Sequence, residues 1–198
     1  RPVPASPRAL ASVGILPGCA QTPVNFPVYA GSPPSAGYED GPAASARFAF
    51  DFTSFIAVDV GGNAYLTDPA NRTIRRISAG GVVTTFAGLE GSAGNVDGTG
   101  GNARFTSPSG IAIDGSGNLY VADAGTNTIR KITPAGVVTT LAGSAGVAGS
   151  ADGTGTATNF NQPVGIEVDS AGNTFGADGP NQTLQKNPPA SVGRPPAD

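Results

Sequence analysis

Three sets of aspartates recur in phase along this chain, and they are the residues best able to do chemistry. Asp68, Asp123 and Asp178 stand 55 residues apart, and each is followed within four residues by an asparagine: Asn71, Asn127 and Asn181. Asp59, Asp114 and Asp169 share that interval and are followed by Asn63, Asn118 and Asn173 in the pattern Asp-x-x-Gly-Asn. Asp40, Asp97 and Asp152 each precede a glycine. Carboxylates beside turn carbonyls suit calcium, and paired carboxylates can act as acid and base. The Asp-x-x-Gly-Asn spacing lacks the several acids of a calcium loop, so calcium is carried only as an alternative. No metal ligand, cofactor or catalytic residue is assigned. The 198 residues contain no histidine, which excludes Ser-His-Asp and Cys-His nucleophilic schemes within one chain.

Each set also has a purely structural use. Asp59, Asp114 and Asp169 can accept backbone N–H bonds a few residues on and set a turn, together with Asn63, Asn118 and Asn173. Asp40, Asp97 and Asp152 read as formers of Asp-Gly turns. Arg75 and Arg130 follow Asp68 and Asp123 by seven residues. The pairs Asp68–Arg75 and Asp123–Arg130 are therefore expected to bridge neighbouring strands, while Gln185 stands at the third position. Alternatively, Asp68, Asn71, Asp123, Asn127, Asp178 and Asn181 form the rim of a binding face, since loops at the end of a rigid sheet stack are where such folds place ligands.

The elements that must position these residues come from one repeat. Residues 58–78, 113–133 and 168–188 align; the first two copies share nine of 21 positions and the last two share seven. Tyr29-Ala30-Gly31, Phe86-Ala87-Gly88 and Leu141-Ala142-Gly143 recur ahead of them, as do Phe48, Phe105 and Phe160, which read as plugs between units. The second copy predicts four strands: 110–114, 118–122, 128–132 and 137–141, with Gly- or Asn-bearing turns between them. No stretch holds a 3.6-residue period. The expected class is all-β: propeller blades of four antiparallel strands, three to a chain.

The run Pro108-Ser109-Gly110-Ile111-Ala112-Ile113-Asp114, then Gly117-Asn118-Leu119-Tyr120-Val121-Ala122-Asp123, then Thr128-Ile129-Arg130-Lys131-Ile132, resembles the NHL repeat. The likeness is strong in the second copy, good in the first and degenerate in the third, where Gly176 and Gln185 replace Val121 and Arg130. The resemblance implies a propeller, usually of six blades, used mostly as a binding surface. A few relatives are lyases or hydrolases, and their catalytic residues find no match here. A carboxylate hydrolase or lyase with a divalent cation, using Asp123 and Asp178, is the enzymatic alternative.

Expected boundaries are a Pro-rich leader over 1–24, repeats over 25–187, and a Pro-rich tail over 188–198. The blades fall near 54–86, 110–141 and 165–186. Segment 25–29 reads as an orphan outer strand, and the third blade lacks its fourth. Three blades do not close a ring. The chain is therefore either a partial propeller, a fragment of a longer one with no function of its own, or half of a six-bladed homodimer that exchanges that strand. A noncatalytic module for protein or glycan interaction, or for self-association, is the functional expectation.

Net charge is −3, with 11 Lys and Arg against 14 Asp and Glu. Phosphate binding needs the opposite balance, so no nucleic-acid partner is expected, and the basic cluster of Arg72, Arg75, Arg76, Arg130 and Lys131 is small. No apolar run approaches the ~20 residues of a membrane span. Cys19 follows Leu16-Pro17-Gly18, the layout of a lipoprotein processing site, so a lipid anchor is one reading of the leader and an incidental thiol the other. The leader, low lysine content and single cysteine favour an extracytoplasmic or secreted location. Asn71-Arg72-Thr73 and Asn181-Gln182-Thr183 fit the N-glycosylation pattern.

Overall fold

The computed structural model describes residues 28–32 and 36–188. Within them the backbone forms three antiparallel sheets. The first contains β1 (Gly41–Pro42), β2 (Ile56–Val58), β3 (Ala64–Asp68), β4 (Thr73–Ile77) and β5 (Val82–Gly88), in the order β1-β5-β4-β3-β2. The second repeats that order with β6 (Gly98–Thr99), β7 (Pro108–Ile113), β8 (Leu119–Asp123), β9 (Thr128–Ile132) and β10 (Val137–Ala142). The third holds only β11 (Pro163–Val168), β12 (Thr174–Asp178) and β13 (Thr183–Asn187). Each sheet is one blade.

The first two blades hold the expected four antiparallel strands and one addition. In the first two blades the connection ahead of the innermost strand supplies a fifth, two-residue strand that pairs outside the fourth, with Gly41 opposite Val83 and Gly98 opposite Val138. Two residues carry no alternation to read, so pattern could not find it. Of segment 25–29, Val28 and Tyr29 are described; both are exposed and in no strand. Residues 25–27, the leader with Cys19, and 189–198 lie outside the described residues.

The blades stack through apolar faces. Phe105, Ile111, Leu119, Val121, Ile132 and Val138 of the second blade pack on Tyr65, Ile74 and Ala87 of the first. Phe160 and Ile166 of the third pack on Ala112, Tyr120, Ala122, Ile129 and Ala142 of the second. Phe105 is wholly buried, and removing a side chain of that kind from water contributes about 1.5–3 kcal/mol. Phe48 plays the same part in the first blade, where Ala30 rests on its cluster.

Two glycines are required by close approach. A Cβ on Gly110 would lie 2.7 Å from the Val164 carbonyl oxygen and 2.9 Å from the Gly165 Cα, because β11 crosses close to β7 there. Gly143, with φ +91°, ends the fourth strand of its blade over the edge of the Phe160 ring. Gly110→Ala must push two backbones apart. Urea unfolding is expected to show a loss of about 1–3 kcal/mol, the usual range for overpacking; an unchanged midpoint would place the two strands further apart than described.

Candidate functional site

The three aspartate sets do different work. Asp59, Asp114 and Asp169 stand where the innermost strand turns. Asp114 accepts the N–H groups of Ser116 and Asn118 at 2.9 Å and the Asn118 side-chain amide at 2.8 Å. Asp59 and Asp169 hold Asn63 and Asn173 in the same way. The pKa of Asp59 is lowered, first by the Asn63 side-chain bond, and that of Asp169 first by the Asn173 bond. Burial pushes Asp114 up, but the bonds from Asn118, Ser116 and Tyr120 outweigh it and the net direction is down. Tyr120 donates to Asp114 at 3.1 Å; burial, then the neighbouring charge, raises its pKa to about 12.

Asp68, Asp123 and Asp178 are buried, and this corrects their place on a binding rim. Their carboxylates face inward. Asp123 accepts the N–H groups of Thr106 and Ser107. Asp178 takes the Asn161 N–H, and Asp68 the Ala49 N–H. Each thereby anchors the loop that leads into the innermost strand. Asn71 and Asn181 donate to these carboxylates and to the carbonyls of Gly37 and Gly149. Their amides are thus committed inward, which also answers the glycosylation pattern. Asn127, at φ 59°, accepts the Gln162 N–H at 2.8 Å across to the third blade.

Only one of the two expected ion pairs forms. Arg75 reaches Asp68 at 3.1 Å, both side chains fully buried. Arg130 and Asp123 are not within 4.0 Å, because backbone donors occupy the Asp123 carboxylate. Burial raises the pKa of Asp123, and its N–H bonds only partly offset that. Arg130 turns outward to Asp97 instead, at 2.7 Å, and Arg75 has the matching bond to Asp40, also 2.7 Å. Asp40 and Asp97 are therefore not merely turn formers. They also receive the N–H groups of Thr85 and Thr140 on the fourth strands. Their role was legible in the spacing. The Asp-to-Arg interval is 35 residues in the first blade and 33 in the second, and the difference equals the two extra residues after Phe48. Arg75 and Arg130 are wholly buried, so the expected basic cluster does not form a surface.

Two hollows remain. One, of about 420 Å³, lies between the second and third blades, walled by Asp152, Phe160, Thr174, Gly176, Gln185 and Asn187 among others. The other, about 450 Å³, lies at the inner strands beside Phe55, Ile56, Ile166, Glu167 and Phe175. Among the described residues no three Cys, Asp or Glu side chains converge as a metal site would need.

Residues 92–152, which span the second blade, match the family model of the teneurin NHL domain. The second blade is similar to an NHL repeat. The blades superpose on a protein of unknown function from Bacteroides thetaiotaomicron, with a TM-score of 0.63 and 29% identity over 67% of this chain and 34% of that one. A protein named an auxiliary nutrient binding protein from the same organism gives a TM-score of 0.60 and 26% identity over 66% and 36%. Another of that name from Bacteroides ovatus gives 0.55 and 26% over 63% and 34%. The chain spans about a third of the length of these structures. No curated protein matches its sequence significantly. No helix among the described residues is long and apolar enough to cross a membrane.

The turn aspartates give the blades an acid limb. The pKa of Asp59, Asp97, Asp114 and Asp169 is lowered from the free value of 3.8. The stability each contributes is present above that value and is lost as pH falls through the lower folded one. Asp123, raised, acts oppositely: its contribution is complete below 3.8 and is lost as pH rises through its folded value. Urea midpoints should therefore fall below about pH 4, less steeply in Asp114→Asn than in the parent; identical slopes would contradict this.

Proposed function

We propose that this chain is a noncatalytic NHL propeller module that binds proteins and associates with further blades, a second copy of itself being the first source of them. One observation carries the reading. Six large apolar side chains lie exposed within residues 50–60 at the inner edge of the first blade: Phe50, Phe52, Phe55, Ile56, Val58 and Val60. Phe52 is 98% exposed. A dense apolar run left in water marks an interaction surface, and this one lies along the innermost strand of the first blade and the loop that leads into it. Three sheets are fewer than the four to eight blades of a closed propeller. A second copy would bring the number to six under two-fold symmetry, and isologous contacts are the usual form of such dimers.

The disposition of the acids supports a binding role over a hydrolytic or lyase one. Asp123 and Asp178, the pair a carboxylate hydrolase would use, are buried and bonded to backbone N–H groups. The two nutrient-binding structures, at 26% identity, lend support to blades of this kind serving recognition. An extracytoplasmic location belongs to the proposal and rests on the leader, the low lysine content and the single cysteine.

Light scattering behind size exclusion tests the association. The expected mass is near twice 19.4 kDa, with Phe52→Ser combined with Val60→Ser returning the chain to its single mass. Both side chains are exposed, so the double variant should keep its circular dichroism. A single mass for the parent at every concentration would overturn self-association.

A further inference from the structure

The first two blades build the same socket around a buried guanidinium. Arg75 donates to the carbonyls of Arg47 and Glu39 and to the carboxylate of Asp40, at 3.0, 2.9 and 2.7 Å. Arg130 donates to the carbonyls of Arg104 and Val96 and to Asp97, at 2.9, 3.1 and 2.7 Å. The Cζ atoms stand 5.1 and 5.2 Å above the rings of Phe48 and Phe105. Two carbonyls, one carboxylate and an aromatic face suit a planar cation.

The third blade keeps the socket and lacks the arginine. Asn159, Ala151, Asp152 and Phe160 occupy the matching positions. The loop is closed by the same bond, Asn159 N–H to the Ala151 carbonyl at 3.0 Å, as Arg104 N–H to Val96 in the second blade, also 3.0 Å. Gln185 stands where Arg75 and Arg130 do, and it reaches only the Asn159 carbonyl, at 3.2 Å. Asp152 is exposed, and its carboxylate has no bond or ion pair among the described residues. Thr174, Gly176 and Asn187 replace Leu119, Val121 and Ile132, which opens the cavity of about 420 Å³. No described strand pairs with the outer edge of β13.

We infer that the third blade is a recognition socket for an arginine side chain carried by an extended peptide. The guanidinium takes the carboxylate of Asp152 and the Ala151 carbonyl above Phe160, and the peptide backbone lies along the free edge of β13 as an added strand. Charge complementarity selects this occupant: the unmatched group in the cavity wall is a carboxylate whose two counterparts each hold a guanidinium. The inference rests on the chain being a binding module, but not on its self-association, so a monomeric chain leaves it standing.

Calorimetry on the full chain with acetyl-Val-Arg-Val-amide, and with its citrulline counterpart, tests the socket. Citrulline has the same shape without the charge. The arginine peptide should bind at least tenfold more tightly, and Asp152→Asn should remove that difference while leaving the circular dichroism intact. Gln185→Arg supplies the missing guanidinium from within; it should abolish peptide binding and raise Tm. Equal binding of the two peptides, or binding retained in Gln185→Arg, overturns the socket. No peptide binding also overturns it, including the case in which a second copy already fills the groove and the mass is doubled.

Discussion

A guanidinium buried between the outer strands of a blade is the constraint on which the rest of this structure depends. Arg75 and Arg130 have no exposed surface. An unpaired charge there would carry a desolvation penalty of several kcal/mol. The chain meets it with carbonyls, a carboxylate and an aromatic ring gathered from segments 25 to 36 residues away. That requirement orders parts that have little else to order them. The Asp-Gly loops carry at most one three-residue 3-10 turn and two strand residues, yet the arginine draws their carbonyls inward. The aspartate then reaches over to the fourth strand. One side chain therefore ties the third strand, the fourth strand and the preceding loop into one piece.

The third blade shows the consequence of losing that tie. Gln185 is shorter and neutral, so it holds one carbonyl instead of two and leaves Asp152 in solvent. Thr174, Gly176 and Asn187 then line a cavity where Leu119, Val121 and Ile132 make a packed interface in the blade before. The fourth and fifth strands have no counterpart among the described residues. These losses are consistent with one another. Without the arginine the aspartate has nothing to hold, and without a fourth strand the apolar positions have nothing to face. Blade stacking survives because it depends on a different set: Phe160 and Ile166 still pack on the second blade, and β11 still meets Gly110 at backbone distance.

Much of this was legible in the residues. Alternation and turn residues placed the four long strands of the second blade to within about two positions, because each is flanked by Gly, Asn or Asp with a clear physical task. Asp59, Asp114 and Asp169 lie at turns because their bonds are local. What escaped was non-local. The partner of Arg130 is 33 residues away, and a rule that looks seven residues back finds Asp123 instead. Burial of Asp68, Asp123 and Asp178 was hidden for the same reason: the loop N–H groups that consume their carboxylates lie 16 to 19 residues earlier. A two-residue strand such as Gly98–Thr99 has no pattern of its own and exists only as an edge to its neighbour.

A double-mutant cycle on Asp97 and Arg130 addresses the central claim most directly. Asp97→Asn, Arg130→Met and the two together would be compared by urea unfolding at neutral pH. If the buried guanidinium organises the blade through this aspartate, the two changes couple by about 1 kcal/mol or more, since residues in one network depart from additivity on that scale. Effects that add to within about 0.3–0.5 kcal/mol would contradict the account. They would mean that the arginine is held by its carbonyls and by Phe105 alone, and that the aspartate is a bystander.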